Sequence, residues 1–317
     1  MLGRRSRRFS ALAFALTLAA LAVPGPAGTQ TLPTLKVAAT ANDTYAEAYY
    51  AVDMGFFKKA GLNVDLQTFA NGAAVSTAVA AGAADVGISN PVQLANAFSH
   101  GAPFTLVAGG GMYATDAPTT VMCVAKNSPF KVAKDLEGKT IAISALRDLT
   151  QLGAVAWLSQ NGADTSKMKF VEMPFAEMGP ALARGTVDAA VISEPSLTAA
   201  KDAGSVRVFA KVFSAIAPQF LIGAWFSTTT FAQKNPDLIK RFQTAIYEAA
   251  RWANKNHEQS AAILAKYSKI TAETARTMTR CTYADGLTPR IVQPPLDLAF
   301  KNNVLDKSVT AGDMIFK

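Results

Sequence analysis

The chain has 317 residues, of which 50% are hydrophobic and 17% charged, and its formal net charge is +8. That length suits one large or two medium domains, and that composition excludes a disordered chain or a coiled coil. The excess of positive charge is concentrated at the start, and no basic cluster follows it, so nucleic acid is not an expected partner.

Arg4, Arg5, Arg7 and Arg8 precede an apolar run from Ala11 to Val23, followed by Pro24-Gly25-Pro26. A basic start, a short apolar stretch and small residues beyond it describe a secretion leader over residues 1–27. The run is too short for a bilayer span, which needs about 20 residues. A protein outside the cytoplasm is therefore expected; the alternative is a cytosolic protein with an unstructured basic arm. Two cysteines, Cys123 and Cys281, leave one disulfide or two free thiols equally open. Neither His100 nor His257 has a ligand-spaced partner, so no metal and no cofactor are expected.

From residue 33 the pattern is strand, helix, strand, helix. Leu35 to Thr40 reads as a strand, Tyr45 to Ala60 as a helix stopped by Gly61, and Val64 to Phe69 as a second strand. A helix from Ala73 to Ala81, a strand from Val86 to Ser89, and a helix opened by Pro91 follow. The same order returns with a strand at Lys139 to Ser144, a helix ending at Gly162, a strand at Met168 to Met173, a helix ending at Gly185, and a strand at Ala189 to Ser193. Gly61, Gly82-Ala83-Ala84-Asp85 and Ser89-Asn90-Pro91 are answered by Gly162, Gly185-Thr186-Val187-Asp188 and Ser193-Glu194-Pro195, each roughly a hundred residues later. The repetition implies two α/β lobes, each with a largely parallel sheet. A strand from Leu221 to Thr228 and helices from Pro236, Glu258 and Ala272 then carry the chain back to the first lobe. Residues 33–122 and 222–317 make lobe I, residues 123–221 make lobe II, and crossings near Thr120 to Val124 and Phe220 to Phe226 make a two-segment hinge.

Ligands of open parallel sheets sit beyond the carboxyl ends of the strands, against helix N-termini. The duplication therefore nominates Thr40 to Tyr45, Ala70 to Gly72 and Ser89-Asn90 in one lobe. In the other it nominates Ser144 to Thr150, Met173 to Glu177 and Ser193-Glu194. Asp43 reads as a cap or a ligand contact, and Tyr45 as a stacking surface. Asn71 and Gly72 precede a helix of small residues, where Asn71 is either an N-cap or a contact. Asn90 and Glu194 each precede a proline, which holds them extended. In the loop with Ser144 and Thr150, Asp148 has capping-box spacing to Gln151, while Arg147 is either an anion clamp or a solvated surface residue. Phe175, Glu177, Tyr113 and Trp225 complete the candidate lining, against a core reading for each aromatic. Asp43, Glu177 and Glu194 against Arg147 point to a ligand carrying N–H donors rather than a bare anion.

The motifs also permit a family comparison. Gly55-Phe56-Phe57-Lys58-Lys59-Ala60-Gly61-Leu62-Asn63-Val64, Gly82-Ala83-Ala84-Asp85-Val86-Gly87, Asp135-Leu136-Glu137-Gly138-Lys139-Thr140-Ile141, Arg184-Gly185-Thr186-Val187-Asp188 and Glu194-Pro195 stand in one order over residues 35–230. Together they resemble the nitrate/sulfonate/taurine-type periplasmic binding proteins, a group that also holds thiamine-pyrimidine binders. The resemblance implies a type II periplasmic-binding-protein fold, no catalysis, and delivery of a small polar solute to an ABC permease with its ATPase. A monomer is expected. An enzyme on the same fold and a ligand-presenting sensor partner are the alternatives. Gly138-Lys139-Thr140 is not a P-loop, since Ala133 stands where its first glycine belongs; Ser128-Pro129-Phe130-Lys131 opens no helix.

Overall fold

The computed structural model describes residues 32–317; the expected leader over residues 1–27 lies outside the described residues. The described chain begins with β1 (Thr34–Ala39) and passes through a 3₁₀ turn into α1 (Glu47–Asp53) and α2 (Phe56–Lys59). The single helix expected from Tyr45 to Ala60 is thus two helices. Gly55 stands at φ +74°, a left-handed conformation that interrupts the helix and favours glycine. Next come β2 (Asn63–Thr68), α3 (Gly72–Ala80), β3 (Val86–Ser89), α4 (Pro91–Ser99), β4 (Phe104–Gly109) and β5 (Gly111–Ala114).

The second run comprises β6 (Thr120–Ala125), β7 (Thr140–Ile143), α5 (Leu149–Gln160), β8 (Lys169–Glu172), α6 (Phe175–Arg184), β9 (Ala189–Ser193), α7 (Ser196–Asp202) and β10 (Val206–Ala210). The return passes through β11 (Gln219–Leu221) and β12 (Ala224–Thr228). It ends with α8 (Thr229–Lys234), α9 (Pro236–Ala253), α10 (His257–Ser268), α11 (Ala272–Thr277), β13 (Thr282–Tyr283), α12 (Pro289–Lys301) and α13 (Ala311–Met314).

Strand order makes the duplication explicit. The first sheet runs β2-β1-β3-β12-β4 and the second runs β8-β7-β9-β6-β10. In both, three parallel strands are followed by an antiparallel one, β12 beside β3 and β6 beside β9. Register repeats as well: Val37 faces Val86 and Leu66 in one sheet, as Ile141 faces Ala189 and Phe170 in the other. A third sheet, β11-β5-β13, joins the crossing segments.

The strand expected from Leu221 to Thr228 divides at Gly223. A side chain there would meet the Tyr45 ring at 2.8 Å, so the backbone passes close to the 3₁₀ turn ahead of α1 as it leaves β11 for β12. Beyond it, α9 lays its apolar face on α1 and α2, with Phe242 stacked on Phe57 and edge-on to Trp225. The C-terminal segment returns to the first lobe, where Ile315 bridges to Leu106.

Where the crossing strands meet, Gly110 N–H donates to Gly223 O at 2.9 Å, and a side chain on Gly110 would approach Glu47 Oε1. Glu47 is fully buried on α1, and neither of its oxygens has a hydrogen-bond partner at ordinary distance. Burial pushes its carboxyl up to about 8, moderated by its own backbone N–H and then by the neighbouring Trp225 N–H. The folded protein therefore holds a proton that the unfolded chain releases near 4.5. Stability tied to Glu47 is complete below that value and declines as pH rises through about 8. Glu47→Gln should flatten this slope and exceed the wild type at pH 9 by roughly 3–6 kcal/mol. Urea unfolding at pH 5 and pH 9 measures it; parallel pH dependences in the two proteins would contradict the assignment.

Candidate functional site

The strands of both sheets end on a common gap. The loops after β1, β2 and β3 of the first lobe and after β7, β8 and β9 of the second surround a small cavity that opens to solvent. The first lobe contributes Thr40, Asn42, Thr44 and Tyr45 from one loop, Asn71, Gly72 and Ala73 from the next, and Asn90 with Gln93 from the third. The second lobe contributes Ser144, Ala145, Asp148, Leu149 and Thr150, then Phe175 and Ser193. Thr120, Phe213 and Ile222 close it from the crossing segments.

Of the thirteen candidates, Tyr45, Asn71, Gly72, Asn90, Ser144, Thr150 and Phe175 line this cavity. Local sequence explains their placement. Asn71 Oδ1 accepts from Ala74 N–H at 2.9 Å and Asn90 Oδ1 from Gln93 N–H at 2.9 Å, so each asparagine caps a helix whose first turn faces the gap. Asp148 does the same for α5, accepting from Thr150 N–H at 2.8 Å and Gln151 N–H at 3.0 Å. Its carboxylate also accepts the hydroxyls of Ser144 and Thr150. Burial raises Asp148 above the usual carboxylate range, against the lowering effect of those hydrogen bonds. Burial likewise pushes the Tyr45 phenol far up; Asp148 adds to the rise and a bond to Asn90 opposes it. α6, behind Pro174, presents a first turn without a side-chain cap, as does α1 behind Ala46.

The other six candidates lie elsewhere, each for a physical reason. Asp43 is fully buried and paired with Arg280, whose Nε–H donates to Oδ1 at 2.7 Å. Cys281 N–H donates to its other oxygen at 2.7 Å, and the guanidinium also reaches Tyr50 and Ser260. Asp43 therefore ties the first loop to the segment between α11 and β13. Arg147 stands at φ +55°, points outward, and pairs with Asp306 of the C-terminal segment, which also has His100 at 3.7 Å. Glu194 is buried against the first turn of α7, accepting Thr198 N–H and Thr198 Oγ1–H, both at 2.9 Å. Burial raises it to about 7. Glu177 is exposed on α6. Tyr113 is buried between Phe213 and Phe220, and Trp225 packs on Phe242.

The net effect on charge is decisive. Arg147 leaves the inventory of the cavity, and so do Asp43, Glu177 and Glu194, while Asp148 enters it as the one carboxylate among lining residues that include no lysine, arginine or histidine. Thr120, Phe213 and Ile222 escaped the sequence reading because they come from the crossings, not from a strand-to-helix loop. Gln93 lies one turn inside a helix, beyond the loop that the spacing nominates. Cys123 and Cys281 are both buried free thiols. Among the described residues no group of three or more His, Cys, Asp or Glu could hold a metal ion, and no helix is long and apolar enough to cross a membrane.

A family model described as "NMT1/THI5 like" matches residues 42–260, which span both lobes and every loop of the cavity except Thr40. The chain belongs to the NMT1/THI5-like family. Among its relatives, the putative binding protein YtlA of Bacillus subtilis is 24% identical over 72% of this chain and 68% of its own length. The putative aliphatic sulfonates-binding protein of Escherichia coli K12 is 25% identical over 78% of each chain. The alkanesulfonate-binding protein SsuA from Xanthomonas axonopodis pv. citri, solved bound to MOPS, superposes with a TM-score of 0.76 at 18% identity, covering 89% of this chain and 98% of that one. The fold is that of the periplasmic binding proteins.

Two measurements test this assignment of side chains. Arg280→Met leaves the buried Asp43 carboxylate uncompensated and should cost about 3–5 kcal/mol in urea unfolding; a loss under 1 kcal/mol would show that the pair is not load-carrying at this depth. Arg147→Ala removes a half-exposed pair and should cost at most about 1 kcal/mol, shrinking further in 1 M salt.

Proposed function

We propose that the protein is the extracytoplasmic solute-binding component of an ABC importer. It captures a small polar organic solute between its two lobes and hands it to a permease with its ATPase. The observation that carries this reading is the cavity itself, which is polar, enclosed by equivalent loops of both lobes, and crossed by two separate segments of chain. A ligand that touches both lobes stabilises the closed arrangement over the open one by its differential contacts. The family supports the same reading, since its relatives bear the names of binding proteins. Release into the periplasm follows from the leader-like start, and the protein acts as a monomer.

Within the range from sulfonate- or taurine-like solutes to nitrogen heterocycles, the charge of the lining favours a ligand with N–H donors. The ionised Asp148 would oppose a bare anion, and its Oδ2, which takes only the Ser144 hydroxyl, keeps acceptor capacity for an ammonium or ring N–H. The ligand-binding residues are then Tyr45, Asn71, Asn90, Ser144, Thr150 and Phe175, with Gly72 allowing close approach.

A thermal-shift screen with taurine, ethanesulfonate, nitrate, aromatic acids and aminopyrimidines tests the class, because a solute bound to the native state raises the melting temperature. Donor-bearing compounds should raise it and nitrate should not. For the compound that binds, small-angle scattering should show compaction on saturation, and Tyr45→Phe should weaken affinity by about 1 kcal/mol. An unchanged scattering profile at saturation contradicts capture by closure. Conversion of the bound compound into a product would favour the rival reading of an enzyme on this fold.

A further inference from the structure

Among the described residues, every ion pair but one joins groups of the same lobe. The exception is Arg147 with Asp306. Arg147 follows β7 in the second lobe, and Asp306 follows α12 in the segment that packs on the first. Two bonds hold that segment to the first lobe: Lys307 Nζ–H donates to Ser99 O at 3.1 Å, and Thr105 Oγ1–H donates to Met314 O at 3.0 Å. The pair therefore crosses from lobe to lobe, and the lining of the solute cavity includes neither residue.

The Arg147 end is anchored as firmly. Leu146 N–H donates to Glu172 Oε1 and Arg147 N–H to Gln151 Oε1, both at 2.6 Å, and Asp148 caps α5 directly behind them. Arg147 itself stands at φ +55°, a left-handed conformation that costs energy for a residue with a Cβ and persists only where its surroundings impose it. A pull on its guanidinium thus moves the second lobe as a body. Both side chains are about half exposed, 46% and 48%, so parting them strands no charge in an apolar interior. Asp306 keeps His100 of its own lobe at 3.7 Å when Arg147 withdraws into water. This pair can open and close, whereas the buried pair of Asp43 with Arg280 stays within one lobe.

We propose that Arg147 and Asp306 form a latch between the lobes, one that closes without solute and sets how much of the empty protein stands closed. This rests on the solute-binding reading above and adds a regulation of the same site. A solute that requires the closed arrangement binds with an affinity reduced by the fraction of protein that is closed. The latch therefore scales the affinity for every solute by one factor, and the choice among solutes is left to the cavity. A half-exposed pair biases such an equilibrium by about three- to fivefold, and salt screens it.

Spin labels on Lys58→Cys in the first lobe and Lys131→Cys in the second, both exposed positions, report the separation of the lobes by pulsed electron resonance; Cys123 and Cys281 are buried. In the mature chain without solute, Arg147→Ala and Asp306→Ala should each raise the ratio of open to closed protein about three- to fivefold. The double variant Arg147→Ala/Asp306→Ala should be no more open than either single one, because all three remove one interaction. Raising NaCl from 0.05 M to 1 M should open the parent protein and leave Arg147→Ala unchanged. Taurine, ethanesulfonate and aminopyrimidine, where they bind, should all lose affinity in Arg147→Ala by the factor by which the closed fraction falls. An unchanged ratio in the single variants, or effects that multiply in the double variant, overturn the latch. If a solute draws the labels together while Arg147→Ala changes nothing, the latch falls and the solute-binding reading stands. If one separation persists in every variant, at both salt concentrations and with every compound of the thermal-shift screen, capture by closure falls with it.

Discussion

Each sheet is completed by an antiparallel strand that belongs to a crossing between the lobes, and the rest of the architecture depends on this pairing. β12 enters the first sheet between β3 and β4, and β6 enters the second between β9 and β10. A crossing strand buried in this way satisfies its backbone on both sides, so neither lobe keeps an unpaired edge at the hinge. It also fixes which ends of the parallel strands face each other. Both sets of carboxyl ends open on the same gap, and the helices that follow them start there.

That arrangement imposes an electrostatic problem, because several helix N-termini meet in a small volume. The protein answers it with its own side chains. Asn71, Asn90 and Asp148 accept the first free N–H groups of α3, α4 and α5. An anionic ligand therefore meets helix ends partly taken by these caps, one of them by a carboxylate. The remaining acids are disposed of inside the lobes: Asp43 by Arg280, Glu194 by the first turn of α7, and Glu47 by holding its proton. The cavity is left polar but nearly uncharged, and this gives its chemistry a direction.

Periodicity and punctuation determined the α/β class, the duplication, the order of the elements and the loops that meet the gap. These are properties of short stretches of chain: glycine stops, proline starts and apolar runs act over a few residues. For the same reason Asn71, Asn90 and Asp148 were legible as caps, and as caps they stand at the cavity. What the sequence could not hold is the partner of a charge when that partner is distant. Arg280 lies 237 residues from Asp43, and Asp306 lies 159 from Arg147. Only the return of the C-terminal helices to the first lobe decides that Asp43 and Arg147 are paired with the protein and not with a ligand. Tyr113 and Trp225 were misplaced for a related reason, since whether an aromatic ring faces a core or a cleft depends on elements packed over it from far along the chain. Local patterns act through the backbone of neighbouring residues, whereas burial and charge pairing belong to the assembled whole.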